Sequence, residues 1–296
     1  SSSTIQHDAT VDSWTDSVNG LVANKNGTPK YKRHGINGRP YVDFDGSSRF
    51  DISYNANLNP TNMTIFAVAT TTSDNGAHQS IITSRETSEG YALYYNMTGS
   101  ENEVKFQVFD SGTTTVESGN GTVIPTVPNI ISQRVTNTGS GKHQFLNGIH
   151  QGSGSGTYNN SDAATTFIGA GSTDGSQFKF VGHIYEIIIY NKILSFDEQQ
   201  QVEGYLSAKY NIPIYDVGGF ANHAYRNFSY QDYPSSVKVL FDATRVASKN
   251  EPYGYVNRVR RMTDIVVAAG SSSNAVGTVT VNVSGGDARD WIEFTN

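Results

Sequence analysis

Cysteine is absent from all 296 residues, which excludes a disulfide framework and any thiolate metal site. A small secreted domain usually relies on such staples, whereas a sandwich of about 200 residues can hold on its core alone. No run approaches the ~18 apolar residues of a membrane span, and no signal peptide is visible. The chain opens on Ser1 rather than methionine, so a processed, trimmed or partial product is expected, and missing targeting information carries little weight. Positive charge is also scarce: 21 Lys and Arg stand against 27 Asp and Glu, a formal net charge of −6. The acidic excess lies wholly in residues 1–213, while 214–296 are balanced. No basic patch of the kind nucleic acid demands is present. Arg258, Arg260 and Arg261 form the densest positive cluster, read as solvated or paired groups in a neutral region.

What is plentiful points to β-structure. Glycine (29), tyrosine (17) and phenylalanine (14) recur with serine, threonine and asparagine between short apolar runs. That is the pattern of a turn-rich all-β chain. Trp14 sits in VDSWTDSVNG, where a core aromatic held by turn residues is expected. The segment RPYVDFDGSSRFDI alternates Tyr41, Asp43 and Asp45 against Val42 and Phe44 before a Gly-Ser-Ser turn, and reads as a hairpin. MTIFAVATTT is a strong strand. Further strands are expected at 80–83, 91–96, 104–109, 130–136, 143–147 and 165–168, separated by turn signals such as Asp74-Asn75-Gly76 and Asn120-Gly121. The Gly/Ser-rich HQGSGSGTYNNSD reads as a surface loop. Strand starts roughly ten residues apart suit a jelly-roll sandwich.

The best-specified stretch is Phe178 to Pro213. Around His183–Tyr190, Ile184, Glu186, Ile188 and Tyr190 alternate with Tyr185, Ile187 and Ile189, so both faces are largely apolar and a strand covered on both sides is expected. Ser195 and Glu198 have capping-box spacing. Asp197 suits the positive end of a helix dipole. Val202, Tyr205, Leu206 and Tyr210 form an apolar stripe, and Asn211 and Pro213 supply stop signals. The first domain is therefore drawn as 1–213. Strand patterns resume after Ser236, VGTVTVNV being the clearest, and 214–296 reads as a small β-rich domain that anchors or oligomerises the protein.

Three stretches together resemble the laminin-G-like, or concanavalin-A-like, jelly-roll superfamily. They are SWTDSVNG, GINGRPYVDFDGSSRF followed by MTIFAVAT, and FVGHIYEIIIYNKILSFDEQQQVEGYLSAKYNI. Within the last, Gly182, Glu186, Tyr190-Asn191, Leu194-Ser195, Tyr205-Leu206 and Lys209-Tyr210 match the closing strand, turn and helix of that superfamily. The resemblance covers about residues 1–213 and none of 214–296. It implies two facing antiparallel sheets closed by a helix, but no single activity.

Chemistry is weakly signalled. Retaining glycosidases on this fold carry a Glu-x-Asp-x-x-Glu string, which is missing here. Asp43 and Asp45 read as turn polar groups, and Glu186 as a hydrogen-bonded group inside an apolar strand. The seven histidines show no zinc spacing. Calcium is possible at loop carboxylates such as Asp43, Asp45, Asp74 and Asp162, but no spacing selects a set, so no metal and no cofactor is assigned. If Val104, Phe106 and Val108 face the core, Lys105 and Gln107 face outward; by the same alternation Tyr94 opposes Leu93 and Arg134 opposes Val135. Tyr94, Gln107 and Arg134 are the candidate sugar contacts, with ordinary surface residues as the competing reading.

The expectation is a non-enzymatic structural or adhesion protein, extracellular or on a virion surface, that displays a lectin-like domain as a virion fibre, a capsid decoration or a bacterial surface protein. Its partners would be a cell-surface or extracellular glycan and, through 214–296, further copies of itself or a surface scaffold. A free carbohydrate-binding module is the first rival and a glycan-cleaving enzyme the second.

Overall fold

The short alternating runs become strands because each buries one set of side chains and leaves its ends to glycine, asparagine and aspartate turns. The computed structural model describes residues 5–214 and 237–243. Its first strands are β1 (Ser13–Thr15), β2 (Val22–Asn26), β3 (Lys30–Lys32), β4 (Tyr41–Asp45), β5 (Arg49–Ile52) and β6 (Met63–Thr71). Then come β7 (His78–Arg85), β8 (Glu89–Asn96), β9 (Glu103–Asp110), β10 (Thr113–Glu117) and β11 (Asn129–Val135). The chain continues through β12 (Lys142–Leu146), β13 (Ile149–Gly154), β14 (Thr166–Ile168), β15 (Val181–Tyr190), α1 (Phe196–Tyr210) and β16 (Val237–Asp242). Two antiparallel sheets result. One, the open sheet, runs β1-β2-β5-β14-β7-β8-β9-β10. The other runs β13-β12-β11-β6-β15-β4-β3, with β16 paired to β15, and α1 packs on its outer side. Among the described residues no helix is long and apolar enough to cross a membrane.

Between the sheets lies one core that includes Trp14, Phe44, Phe50, Tyr91, Tyr95, Phe106 and Phe180. Trp14 is fully buried, edge-on to Phe50 at 5.9 Å and to Phe241 at 5.7 Å, and its indole N–H donates to the Asp242 carbonyl at 3.3 Å. Asp16 turns the chain beside it by accepting from the backbone N–H of Val18 and Asn19. The core-tryptophan expectation holds, and part of its pocket comes from β16, more than two hundred residues away in sequence.

Three local expectations change. The supposed hairpin at 41–52 is a corner: β4 pairs with β3 and β15 in the helix-backed sheet, while β5 pairs with β2 and β14 in the open one. Asp45 makes the corner, its Oδ1 accepting from the backbone N–H of Ser47 and Ser48 and from both hydroxyls. The Gly/Ser-rich segment read as a loop begins as edge strand β13. Glycine is needed there because a Cβ on Gly154 would come within 2.8 Å of Val116 Cγ2, so small residues let β13 lie close to β10.

The third change concerns β15. Strict alternation would put Ile184 and Glu186 on one face. A bulge between them, opposite Ala69 and Val68, sends Ile184 into the inter-sheet core and turns Tyr185 and Glu186 towards the helix side. From there Ile187 and Ile189 face the core while Ile188 and Tyr190 face α1. The helix itself is as expected. Ser195 and Glu198 form the reciprocal capping box, Asn211 takes the left-handed conformation at φ 54°, and Val202, Leu206, Tyr205 and Tyr210 are buried against the sheet.

The far side of Pro213 was expected to begin another domain. Val237–Asp242 instead pairs antiparallel with the second half of β15, beside the stretch that β4 occupies. The rest of 215–296, with the expected strands there and the Arg258–Arg261 cluster, lies outside the described residues.

Candidate functional site

The two sheets differ on their outer sides. The outer face of β6, β11 and β15 is covered by α1. The outer face of the open sheet carries no described helix, and alternation there leaves a mixed aromatic and polar surface. Along β8, Tyr91, Leu93 and Tyr95 enter the core while Ala92 and Tyr94 point away from it. Along β9, Val104, Phe106 and Val108 enter the core, so Lys105, Gln107 and Phe109 point away. Register sets Tyr94 beside Lys105 and Ser80, Gln107 beside Ala92 and Thr115, and Lys105 beside Glu117.

Tyr94 is not itself the contact surface, because only 2% of it is exposed. His78 stacks on it at 4.9 Å between ring centroids, and Phe178 stacks at 6.2 Å. His78 and Phe178 lie 5.5 Å apart, both half-buried, and form the roof. Phe178 sits at φ +52°, a left-handed conformation that a bulky side chain adopts only when its surroundings force it. Its carbonyl accepts from Ser80 N–H at 2.8 Å, which fixes the ring over the sheet. Strain of this kind costs about 1–3 kcal/mol and clusters at functional sites.

Charge surrounds the stack. Arg85 lies 3.8 Å above the Phe109 ring. Lys105 pairs with Glu117 at 2.7 Å and Glu103 at 3.5 Å. Asn96 donates to Glu103 at 2.8 Å and also to Glu101. Burial alone would lower the Lys105 ammonium, but Glu117, Glu103 and Glu101 hold it above the ordinary lysine value. Burial, with the nearby Lys105 charge, lowers the His78 imidazole and so keeps it neutral at neutral pH. Gln107 reaches Thr115 Oγ1 at 3.3 Å. An aromatic roof can pack on the apolar face of a ring while the amide and charged groups around it bond to hydroxyls.

Of the three expected sugar contacts, Tyr94 and Gln107 share this face, Tyr94 as its floor. Arg134 does not join them. It lies on β11 in the other sheet, opposite His143 and Thr64, on the side that α1 covers further along. Sequence reading passes over His78, Arg85 and Phe178. His78 follows from alternation with Ser80, but Arg85 shares that face only because a bulge between Ser80 and Ile82 shifts the register; Phe178 has no periodic signal, since a loop places it.

Asp43 faces His183 at 3.5 Å, and Asp45 serves the corner turn. Glu186 is fully buried and accepts from Lys209 Nζ and Tyr210 Oη, each at 2.9 Å. Among the described residues no three His, Asp or Glu side chains lie close enough together to hold a metal ion.

No protein-family model matches the chain, and no curated protein matches it. Solved structures with some likeness include domain 4 of AbnA, a GH43 extracellular arabinanase from Geobacillus stearothermophilus, in complex with arabinotriose. It shows 15% identity and a TM-score of 0.48 over 65% of this chain and 97% of that one. The Ruminococcus gnavus IT-sialidase CBM40 shows 17% identity and a TM-score of 0.44 over 55% and 96%. A heptameric SAP-like pentraxin from Limulus polyphemus shows 13% identity and a TM-score of 0.44 over 59% and 84%. Likenesses this distant say nothing about what this chain binds.

Proposed function

We propose that this chain is a non-enzymatic glycan-binding domain of a surface structural or adhesion protein, with the glycan seated on the outer face of the open sheet. The observation that carries the reading is the His78–Tyr94–Phe178 stack, roofed by a phenylalanine in a strained conformation and bordered by Lys105, Gln107 and Arg85. A sugar ring would lie on His78 and Phe178, with its hydroxyls towards Lys105 and Gln107. A surface setting, on a virion fibre, a capsid decoration or a bacterial envelope, suits a binding face carried on a sandwich that needs no disulfide. In this reading the segment beyond Ala243 supplies attachment or self-association.

A glycan array probed with the full chain tests the proposal. A clear hit that Phe178→Ala or His78→Ala removes supports it. The reading fails if binding survives both substitutions, if no glycan binds, or if a polysaccharide is cleaved with release of product.

A further inference from the structure

A second polar concavity lies where three connections meet, away from the aromatic stack. It is a cleft of about 370 Å³ lined by the β5–β6 connection (Tyr54, Asn57, Asn59, Asn62), the β13–β14 connection (Asn160) and the turn after β15 (Asn191). That volume falls in the range of about 300–1,000 Å³ typical of small-molecule sites. Among the described residues no charged side chain lines it. Five asparagine amides in one concavity supply paired donors and acceptors with no net charge.

The amides divide by role. Asn59 accepts from Ser84 Oγ at 2.8 Å and donates to the Asn55 carbonyl, while Asn62 accepts from the Asn137 backbone N–H. These two fix the wall. The side-chain amides of Asn57, Asn160 and Asn191 make no hydrogen bond within the described protein, and Tyr54 presents its ring with 41% of the residue exposed. All three segments are pinned from behind. Tyr91 Oη donates to the Leu58 carbonyl at 2.9 Å, Gly90 N–H to the Asn159 carbonyl at 2.7 Å, and Thr64 Oγ1 to the Lys192 carbonyl at 2.9 Å. A cleft held open in this way loses little further entropy when a ligand enters.

We propose that this cleft is a second saccharide site, selective for neutral sugar rings. Asn57, Asn160 and Asn191 would pair with neighbouring hydroxyls, and Tyr54 would pack on an apolar ring face. Because the described lining has no cation, the carboxylate of an acidic sugar would lose solvation there without a charged partner, in contrast to the Lys105 and Arg85 surroundings of the aromatic stack. The inference stands independently of the open-face reading, since the two sites share no residue.

The test is a titration of the isotope-labelled full chain with glucose, galactose, mannose and N-acetylglucosamine, each to about 50 mM, tens of times a millimolar dissociation constant. N-acetylneuraminic acid is the charged control. Expected are saturable shifts of the Asn57, Asn160 and Asn191 side-chain amide signals with at least one neutral sugar. They should weaken about tenfold in Asn191→Ala or Asn160→Ala and persist in His78→Ala. The inference is overturned if no neutral sugar moves these signals, if the acidic sugar moves them equally, if both asparagine variants bind as before, or if His78→Ala abolishes the shifts.

Discussion

The two outer faces of the sandwich are built from the same alternating strands and differ in how far they enclose their cations: Lys209 is buried, whereas Lys105 and Arg85 stay partly exposed. On the helix-backed sheet the charged groups are sealed in. Glu186 on β15 stands directly across from Asp242 on β16, and Lys209 of α1 bonds to both, at 2.9 Å and 2.7 Å. Burial raises the Glu186 carboxyl, while the two carboxylates hold the Lys209 ammonium well above its ordinary value although burial opposes this. Glu203, also buried, accepts from Ser132 Oγ at 2.6 Å and Gln199 Nε2 at 2.9 Å. On the open sheet Ser80, Thr83, Asn96 and Glu103 are buried too, but Arg85, Lys105 and Gln107 keep partial exposure beside the stacked rings, and among the described residues no helix lies above them. Sealed polar groups fix where α1 and β16 dock; open ones are available to a ligand. The difference separates stability from binding on two faces of one core.

The largest effect should come from breaking the sealed side. Lys209→Met leaves Glu186 and Asp242 facing each other in the interior without their shared cation, and should lower stability by about 3–5 kcal/mol, read from the urea midpoint. Glycan affinity per folded molecule should be unchanged. A loss below about 1 kcal/mol would mean that the triad is solvated and that the two faces differ less than described.

Phe178→Gly probes the other side. It removes part of the aromatic roof and relieves the left-handed strain, so glycan affinity should fall at least about tenfold, roughly 1.4 kcal/mol, while the urea midpoint holds or rises. If stability fell and binding did not, Phe178 would be packing alone. Ser195→Ala removes the helix cap on the sealed side and should cost about 1 kcal/mol, with no change in binding.

The smallest effect is set by pH. Burial, then the Lys32 charge, lowers the His183 imidazole to about 4, although Asp43 stands 3.5 Å away and the Tyr41 and Tyr185 rings pack beside it. A histidine depressed in the folded state binds its proton more readily when unfolded. Its contribution is therefore complete above the unfolded value of about 6.5 and is lost as pH falls towards about 4. With a quarter of the side chain exposed, the loss should be no more than about 1 kcal/mol. His183→Phe should flatten that slope. Asp43, raised by burial, acts in the opposite sense at the acid end, and the variant comparison removes its share.

Much of the open face could be read in advance, because period-two alternation fixes which way Tyr94, Lys105 and Gln107 point once Leu93, Val104 and Phe106 are placed inside. Arg134 also pointed outward as read, yet alternation cannot say which sheet a strand joins. The contribution of Phe178 was out of reach, since it depends on one loop residue in a rare conformation held by Ser80.

The sequence by itself determined the all-β character, the outward and inward sets on each strand, the capping box at Ser195 and the stop at Asn211, because these follow from neighbours within a few residues. Tertiary structure alone decided that β4 and β5 part company at Asp45, that a bulge turns Tyr185 and Glu186 to the same side, and that β16 returns to complete β15. Each of these is a choice of hydrogen-bonding partner made across tens of residues. It is settled by which arrangement buries Trp14, Phe241 and the Glu186–Lys209–Asp242 triad together, and no local pattern records that.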